Sequence, residues 1–96
     1  MNAFGETPLH IAAIVNDTDV VKMLLGRGAD IARGDMKCRT PLYWAVLIGH
    51  EEAVKILLER GADPRKENVM GLTPIDEDAK PEIVQMLNNA LKRFPN

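Results

Sequence analysis

Thr-Pro-Leu-His-Ile-Ala-Ala, residues 7–13, returns as Thr-Pro-Leu-Tyr-Trp-Ala-Val at residues 40–46, and Thr-Pro-Ile-Asp begins at residue 73. The three Thr-Pro pairs start at positions 7, 40 and 73, so each lies 33 residues after the one before it. Without gaps, residues 7–33 and 40–66 agree at 12 of 27 positions, and both segments carry Gly-Ala-Asp near their ends. A fixed period of roughly 20–50 residues is typical of stacked structural repeats.

Each unit predicts two short helices. Thr7 can cap the first helix with its hydroxyl oxygen, and Pro8 suits the first helical position, where no N–H is needed. Leu9, Ala12 and Ala13 then recur at the spacing of one helical face. The predicted buried stripe of the second helix consists of Val20, Val21, Leu24 and Leu25. The second unit repeats the same pattern, so the two units should pack in the same way.

The Thr-Pro-Leu-His-Ile-Ala phrase, the Gly-Ala-Asp ending and the 33-residue period together resemble the ankyrin-repeat family. The resemblance implies an all-α solenoid of stacked helix-turn-helix pairs joined by β-turn fingers. It covers nearly the whole chain, which we interpret as one domain, 1–96, with repeats at about 2–34, 35–67 and 68–96. Gly5 fits the glycine that the family places in each finger. Cys38 replaces that glycine in the second finger, which predicts either a tolerable φ angle or local strain.

The third unit departs from the pattern. Val84-Gln85-Met86-Leu87 resembles residues 21–24, but it follows them by 63 residues rather than 66. Its inner helix should therefore be short, and Asp76-Glu77-Asp78 should make that segment acidic and solvated. Pro81 can begin the last helix, whose polar outer side is typical of a C-terminal capping repeat. The first unit shows no matching cap, so we expect its outer side to be open to water, to a longer stack or to another chain.

Composition excludes several classes of protein. The chain has 96 residues, 46% of them hydrophobic, and a formal net charge of -2. That balance argues against disorder, and it argues against nucleic-acid binding, which favours a basic surface. The longest apolar run is too short to span a membrane, and we see no secretion leader. The one cysteine, Cys38, fits a reducing compartment, so we expect an intracellular, cytoplasmic protein.

The sequence holds no catalytic or metal-binding arrangement that we recognise. His10 and His50 fall on family motif positions, where the resemblance implies hydrogen bonds that brace turns and fingers. One cysteine and two distant histidines make a weak zinc site. The three adjacent carboxylates at residues 76–78 would fan across a helix surface instead of converging. We therefore predict no enzyme activity, no metal and no cofactor.

A set of mostly apolar positions carries the functional prediction. In ankyrin-repeat proteins the residues beside each finger glycine and near the end of each inner helix usually face the partner, on the concave side. The predicted partner-binding residues are Phe4, Glu6, Ile14, Met36, Lys37, Arg39, Leu47, Val69, Met70 and Leu72. Methionines suit adaptable binding surfaces because they are flexible and polarizable. The alternative is that some of the apolar members fold back over the ends of helices.

Two aromatic residues in the second unit stand apart from the family pattern. Tyr43 replaces the family's histidine, so that unit loses a bracing hydrogen bond unless the phenol finds a substitute. Trp44 falls where leucine is common, and we expect it to be mainly packed. The alternative is that Trp44 faces a partner beside Met36 and Arg39.

These observations favour a protein–protein interaction module that binds a polypeptide on its concave finger and inner-helix face. The alternative is a self-assembling structural unit, or a piece of a longer repeat protein, that associates through its uncapped first repeat, for example as a homodimer. An enzyme or small-molecule binder is a third class. Turnover that His10→Ala abolished without unfolding the chain would support it.

Overall fold

Helix pairs follow one another along the chain in this computed structural model, which describes residues 2–77 and 79–93. The helices of this part of the chain are α1 (Pro8–Ile14), α2 (Thr18–Gly26), α3 (Pro41–Ile48), α4 (Glu51–Glu59) and α5 (Pro81–Leu91), with one turn of 3-10 helix at Pro74–Asp76. No strand occurs in these residues. Helix α1 packs against α3, α2 against α4, and α4 against α5. The predicted all-α stack of helix pairs is confirmed.

The helix boundaries follow from the residues that the sequence places there. Thr7 Oγ1 accepts a hydrogen bond from the His10 N–H at 3.4 Å, and Thr40 Oγ1 accepts from the Tyr43 N–H at 3.2 Å. A proline follows each cap at the first helical position. Gly49 ends α3 in the left-handed region with a φ of 94°, a conformation that glycine adopts without a Cβ clash.

Small and branched apolar side chains fill the space between the helix pairs. Ala13, Ala45 and Ala53 are completely buried, and they let neighbouring helices approach closely. The larger side chains that are almost completely buried are Leu9, Val21, Leu42, Val46, Val54, Leu57, Ile83 and Leu87. Burying one such leucine or isoleucine contributes about 1.5–3 kcal/mol to folding, so this layered core holds the stack together.

The predicted buried stripe of α2 was only partly right. Val21 is fully buried, whereas Val20, Leu24 and Leu25 remain partly exposed. The helical pattern places all four on the inward half of the helix, but complete burial needs a neighbour on both sides. Among the described residues, α2 has the second helix pair on one side and no further pair on the other.

The third unit is shortened as predicted. Its inner helix is reduced to the single 3-10 turn, and α5 begins at Pro81. Ile83, Leu87 and Ala90 are buried against the second pair. Asp78 and residues 94–96, which belong to the predicted acidic segment and the predicted cap, lie outside the described residues.

Candidate partner-binding surface

Three fingers precede the inner helices, and one Asn or Asp side chain organises each of them. Asn2, Asp35 and Asn68 lie 33 residues apart, and each Oδ1 accepts the backbone N–H groups two and four residues later at 2.8–3.1 Å. A backbone hydrogen bond from the same residue to the carbonyl four residues on closes each turn. The fingers therefore repeat the same hydrogen-bonded frame.

One position in each finger requires a positive φ. Gly5 and Gly71 meet this requirement with φ angles of 74° and 78°. Cys38 occupies the equivalent position with a φ of 61°, where a residue that carries a Cβ is strained. The sequence predicted either a tolerable φ angle or local strain at Cys38, and the structure shows strain there.

Single backbone hydrogen bonds join neighbouring fingers. The Met36 N–H donates to the carbonyl of Phe4 at 3.0 Å, and the Val69 N–H donates to the carbonyl of Lys37 at 2.9 Å. These bonds set the fingers side by side, and they bring predicted partner-binding residues of consecutive repeats next to one another.

Both histidines brace the stack, as predicted. His10 is fully buried, its Nε2 lies 2.8 Å from the carbonyl oxygen of Arg39, and its Nδ1 accepts the Thr7 N–H at 3.0 Å. His50 Nε2 lies 2.9 Å from the carbonyl oxygen of Ile14. A neutral imidazole with its proton on Nε2 satisfies both contacts of His10. Each ring thus connects the first repeat with the second.

Tyr43 replaces the missing histidine brace with a different pair of contacts. Its hydroxyl donates to Glu77 Oε1, and it accepts a hydrogen bond from Asn68 Nδ2 at 2.9 Å. The phenol therefore connects α3 with the third finger and with the residue after the 3-10 turn. Burial, followed by the hydrogen bond to Glu77 and the charge of that carboxylate, raises the pKa of Tyr43 to about 12.

Asp35, Arg39 and Trp44 form a second polar cluster beneath the second finger. The buried Asp35 carboxylate pairs with Arg39 Nε at 3.0 Å and accepts from Trp44 Nε1 at 2.9 Å. The Arg39 guanidinium lies over the Trp44 ring, 4.3 Å from its centroid. Burial acts to raise the pKa of Asp35, but the hydrogen bonds from Arg39, Trp44 and Lys37 and the charge of Arg39 outweigh it, and the pKa is lowered. Trp44 is partly buried.

Residues of the Tyr43 contacts and Arg39 line an open groove of about 280 Å³. We call it the finger groove, and its lining residues are Lys37, Arg39, Tyr43, Leu47, Asn68, Val69, Met70, Leu72 and Glu77. Leu47, Val69 and Met70 are exposed, and Leu72 is partly buried. The side chains of Val69 and Met70, 59% and 78% exposed, do not fold back over the helices.

The finger groove brings together six of the ten predicted partner-binding residues. The other four are Phe4, Glu6, Ile14 and Met36. Phe4 and Met36 are exposed in the first two fingers, while Glu6 accepts a hydrogen bond from Asn2 Nδ2 at 3.0 Å within its own finger. Ile14 is partly buried at the end of α1. These four therefore belong to neighbouring surface and do not line the groove.

Three groove residues were absent from the predicted set: Tyr43, Asn68 and Glu77. The 33-residue period relates Asn68 to Asn2 and Asp35, so the period could have identified it. The period could not identify Glu77 in this way, because Glu77 follows the shortened inner helix of the third unit.

Two features are absent from the described part of the chain. Residues 2–77 and 79–93 contain no group of three His, Cys, Asp or Glu side chains that could hold a metal ion. Over the same residues, no helix is both long enough and apolar enough to cross a membrane. Cys38 is a free, exposed thiol.

Comparison with known protein families agrees with this architecture. A family model of ankyrin repeats, comprising three copies, matches residues 1–68. The chain belongs to the ankyrin-repeat family. Ankyrin repeats generally mediate protein–protein interactions, and the family is typically non-enzymatic. The comparison with curated proteins gave no significant match.

Proposed function

We propose that this ankyrin-repeat protein is a non-enzymatic interaction module that binds a segment of a polypeptide in the finger groove, on the predicted concave face. The main support is the combination of three exposed apolar side chains, Leu47, Val69 and Met70, around one open groove. Water-exposed apolar side chains that line a common depression are typical of protein-binding surfaces.

The polar atoms of the groove favour an apolar contact with the partner. The Tyr43 hydroxyl is bonded to Glu77 and Asn68, and Arg39 is paired with Asp35. A partner that sought a hydrogen bond from the Tyr43 hydroxyl proton or from Arg39 Nε would have to break an existing one. We therefore propose that a large aliphatic or aromatic side chain of the partner packs against Leu47, Val69 and Met70, where burial supplies the binding energy.

Lys37 adds a charged edge to the groove. Its side chain is exposed, and it forms no ion pair within residues 2–77 and 79–93. We propose that it favours a partner segment with an acidic residue beside the apolar anchor, since rim charges act mainly on association rate and orientation. The exposed free thiol of Cys38 is consistent with a reducing, intracellular setting for this interaction.

The test is selection of peptides from a random display library on the wild-type protein, followed by affinity measurement with a selected peptide. Met70→Glu places a negative charge in the groove at a side chain that is 78% exposed, so the fold should persist. We expect this variant to weaken binding at least about tenfold, which corresponds to roughly 1.4 kcal/mol. The matched control is Met23→Glu, at a methionine on α2 outside the groove.

Unchanged affinity of Met70→Glu, or equal loss with Met23→Glu, would rule out the finger groove as the binding site. Arg39→Glu is a poorer probe, because Arg39 also pairs with Asp35 and covers Trp44. A change there would combine loss of binding with loss of stability.

A further inference from the structure

Arg39 is held in place through both its backbone and its side chain. Its N–H donates to Asp35 Oδ1 at 2.9 Å. Its carbonyl oxygen lies 2.8 Å from His10 Nε2 and accepts the Asp35 N–H at 2.9 Å. At the other end of the residue, Nε donates to Asp35 Oδ2, and the guanidinium lies over the Trp44 ring. The guanidinium is therefore fixed in position before any partner binds.

The ring beneath the guanidinium is fixed by the same carboxylate. Trp44 Nε1 donates to Asp35 Oδ2, and the Asp35 side chain is completely buried. The Arg39 side chain is 23% exposed, so it is largely covered and still reaches the surface. An arginine that binds an anion normally loses rotamer freedom at that moment, whereas here the freedom is already restricted in the unbound protein.

Most of the hydrogen-bonding capacity of Arg39 is unused. The N–H donors of a guanidinium lie on Nε, Nη1 and Nη2. Within residues 2–77 and 79–93, only Nε of Arg39 has a hydrogen-bond partner. Arg39 also lines the finger groove. Nη1 and Nη2 are therefore the nitrogens that remain for a partner bound in that groove.

Two other arginines show the ordinary arrangement. Arg27 and Arg60 follow α2 and α4, and both are exposed. Within the described part of the chain, neither of them forms an ion pair or lies over an aromatic ring. An anion that bound either side chain would first have to order it, which offsets much of the gain. Arg39 differs because Asp35 and Trp44 have ordered it already.

The charges around Arg39 favour a short-range contact. Lys37 and Arg39 are the positive residues of the groove lining, and Glu77 is the negative one. Asp35, behind Arg39, is the second negative charge, so two positive and two negative formal charges cancel. Among the described residues Glu77 forms no ion pair, and it accepts the Tyr43 hydroxyl. An anion would therefore be recognised by hydrogen-bond geometry at Arg39 and not by a net field.

A carboxylate matches the remaining donors of Arg39. Its two oxygens can accept N–H groups from Nη1 and Nη2 in parallel, and such a bidentate pair is directional. A phosphate group carries about two negative charges and would face Glu77 without a surplus of positive charge, so it fits less well. Leu47, Val69 and Met70 line the same groove, so one segment can present an apolar side chain to them and a carboxylate to Arg39.

We propose that Arg39 selects an acidic partner: Nη1 and Nη2 bind the side-chain carboxylate of an Asp or Glu in the segment whose apolar side chain packs on Val69 and Met70. This assignment rests on the proposed function of the finger groove. It divides the work between the two cations of the lining. The exposed Lys37 acts on the rate of association, and the fixed Arg39 holds the acid once the segment is docked.

The test compares two peptides on three proteins. The first peptide is one selected on the wild type from the display library, with both ends blocked so that only side-chain carboxylates remain. In the second, the acidic residue is replaced by the corresponding amide, each acidic position being tried in turn. On the wild type, one such replacement should weaken binding at least about tenfold. On Arg39→Gln, the same replacement should weaken binding less than about threefold, because the coupling is lost.

Arg39→Gln is chosen because it retains a donor for Asp35. Glutamine Nε2 and arginine Nε are both attached to Cδ, so the amide can still donate to Asp35 Oδ2. The matched control is Lys37→Gln, which removes the other positive charge of the lining. On this control, replacement of the peptide carboxylate should still weaken binding about tenfold. Circular dichroism of both variants should match that of the wild type.

A measurement on the wild type alone guards against a misfolded variant. Trp44 is the only tryptophan of the chain, so its Nε1–H gives a single indole peak in a proton–nitrogen correlation spectrum. At saturation, the acidic peptide should shift this peak more than the amide peptide does. The reason is that the indole and Arg39 share one acceptor, Asp35 Oδ2, and the carboxylate pulls on the guanidinium.

Equal effects of the peptide replacement on the wild type and on Arg39→Gln would overturn the proposal. Equal shifts of the Trp44 peak by the two peptides would do the same, as would loss of the effect in Lys37→Gln alone. Selected peptides that contain no acidic residue would also contradict it. In all these cases the proposed function still predicts weaker binding by Met70→Glu, so the failure of one proposal is distinguishable from the failure of the other.

Discussion

The guanidinium carbon of Arg39 lies 4.3 Å from the centroid of the Trp44 ring, and both side chains hydrogen-bond to the same carboxylate oxygen of Asp35, Oδ2. The other oxygen of Asp35 accepts the N–H groups of Lys37 and Arg39. One buried carboxylate therefore shapes the second finger and holds an Arg–Trp stack at the side of the finger groove. Cation–π contacts of this kind contribute about 0.5–2 kcal/mol when partly desolvated.

Asp35→Asn separates these two roles. The fingers built on Asn2 and Asn68 show that an asparagine can form the turn, so the finger should survive. The amide cannot accept from both Arg39 and Trp44 as the carboxylate does. We expect a loss of about 1–3 kcal/mol in the free energy of unfolding, measured by urea denaturation at neutral pH. Asp30→Asn, at an exposed turn, is the control and should cost far less.

The pH dependence of stability gives an independent check on Asp35. The pKa of this carboxyl is lowered in the fold, so its stabilising contribution is present above the unfolded pKa, near 3.8. It is lost as the pH falls through the lower pKa of the folded state. The wild type should therefore lose stability more steeply than Asp35→Asn over this acidic range. If the free energy of unfolding fell with pH in the same way for both proteins, the lowered pKa of Asp35 would be contradicted.

The phenol of Tyr43 should titrate near pH 12, because burial and Glu77 favour its neutral form. Tyr43 is the only tyrosine of the chain, so near-ultraviolet absorbance reports it directly. Glu77→Gln removes the neighbouring negative charge and should move the pKa down toward its ordinary value of 10.0. Since the folded pKa is raised, the contribution to stability is present below the unfolded pKa and is lost as the pH rises through about 12.

Circular dichroism recorded during the titration shows whether the fold persists. Titration of folded wild type near its ordinary pKa, with no difference from Glu77→Gln, would show that the Tyr43–Glu77 contact is absent in solution. Tyr43→Phe should lower the free energy of unfolding by about 0.5–1.5 kcal/mol, because it removes the phenol hydrogen bonds and keeps the ring.

The sequence predicted local features of this fold better than contacts between repeats. Thr7, Pro8 and Gly49 determine helix ends through bonds within a few residues, so their roles are visible in the sequence. The Tyr43–Glu77 contact spans 34 residues and depends on the path of a shortened inner helix. The partial exposure of Leu24 was not visible in the helical pattern of α2 itself, although the missing cap of the first unit had predicted an open outer side.

The sequence likewise predicted positions in the candidate site better than the contacts between its side chains. The period located the fingers, and the resemblance to ankyrin repeats implied six of the residues that line the groove. It did not show that Arg39 is already paired with Asp35 and stacked on Trp44, since side-chain partners are not encoded by spacing. Exposure and existing hydrogen bonds, which only the structure provides, therefore decide which predicted residues are suited to contact a partner.

Cys38→Gly should stabilise the protein. Cys38 has a φ of 61°, and the equivalent positions in the other two fingers are glycines. A residue with a Cβ in this region carries about 1 kcal/mol or more of strain, partly offset by the greater freedom of glycine in the unfolded chain. We expect a net gain of about 0.5–1 kcal/mol in urea denaturation. Cys38→Ala removes the thiol but keeps the Cβ, so it should show no comparable gain.

Gly26 and Gly28 should respond to alanine with opposite signs. Gly26 is the last residue of α2, and a Cβ there would meet no atom within 4 Å. Gly26→Ala should therefore stabilise the protein by up to about 1 kcal/mol through helix propensity and reduced freedom of the unfolded chain. Gly28 has a φ of 91°, where a Cβ is strained even though the surrounding space is open, so Gly28→Ala should cost about 1 kcal/mol or more. Thermal unfolding of both variants measures the difference, and destabilisation by Gly26→Ala would show that α2 ends before Gly26 in solution.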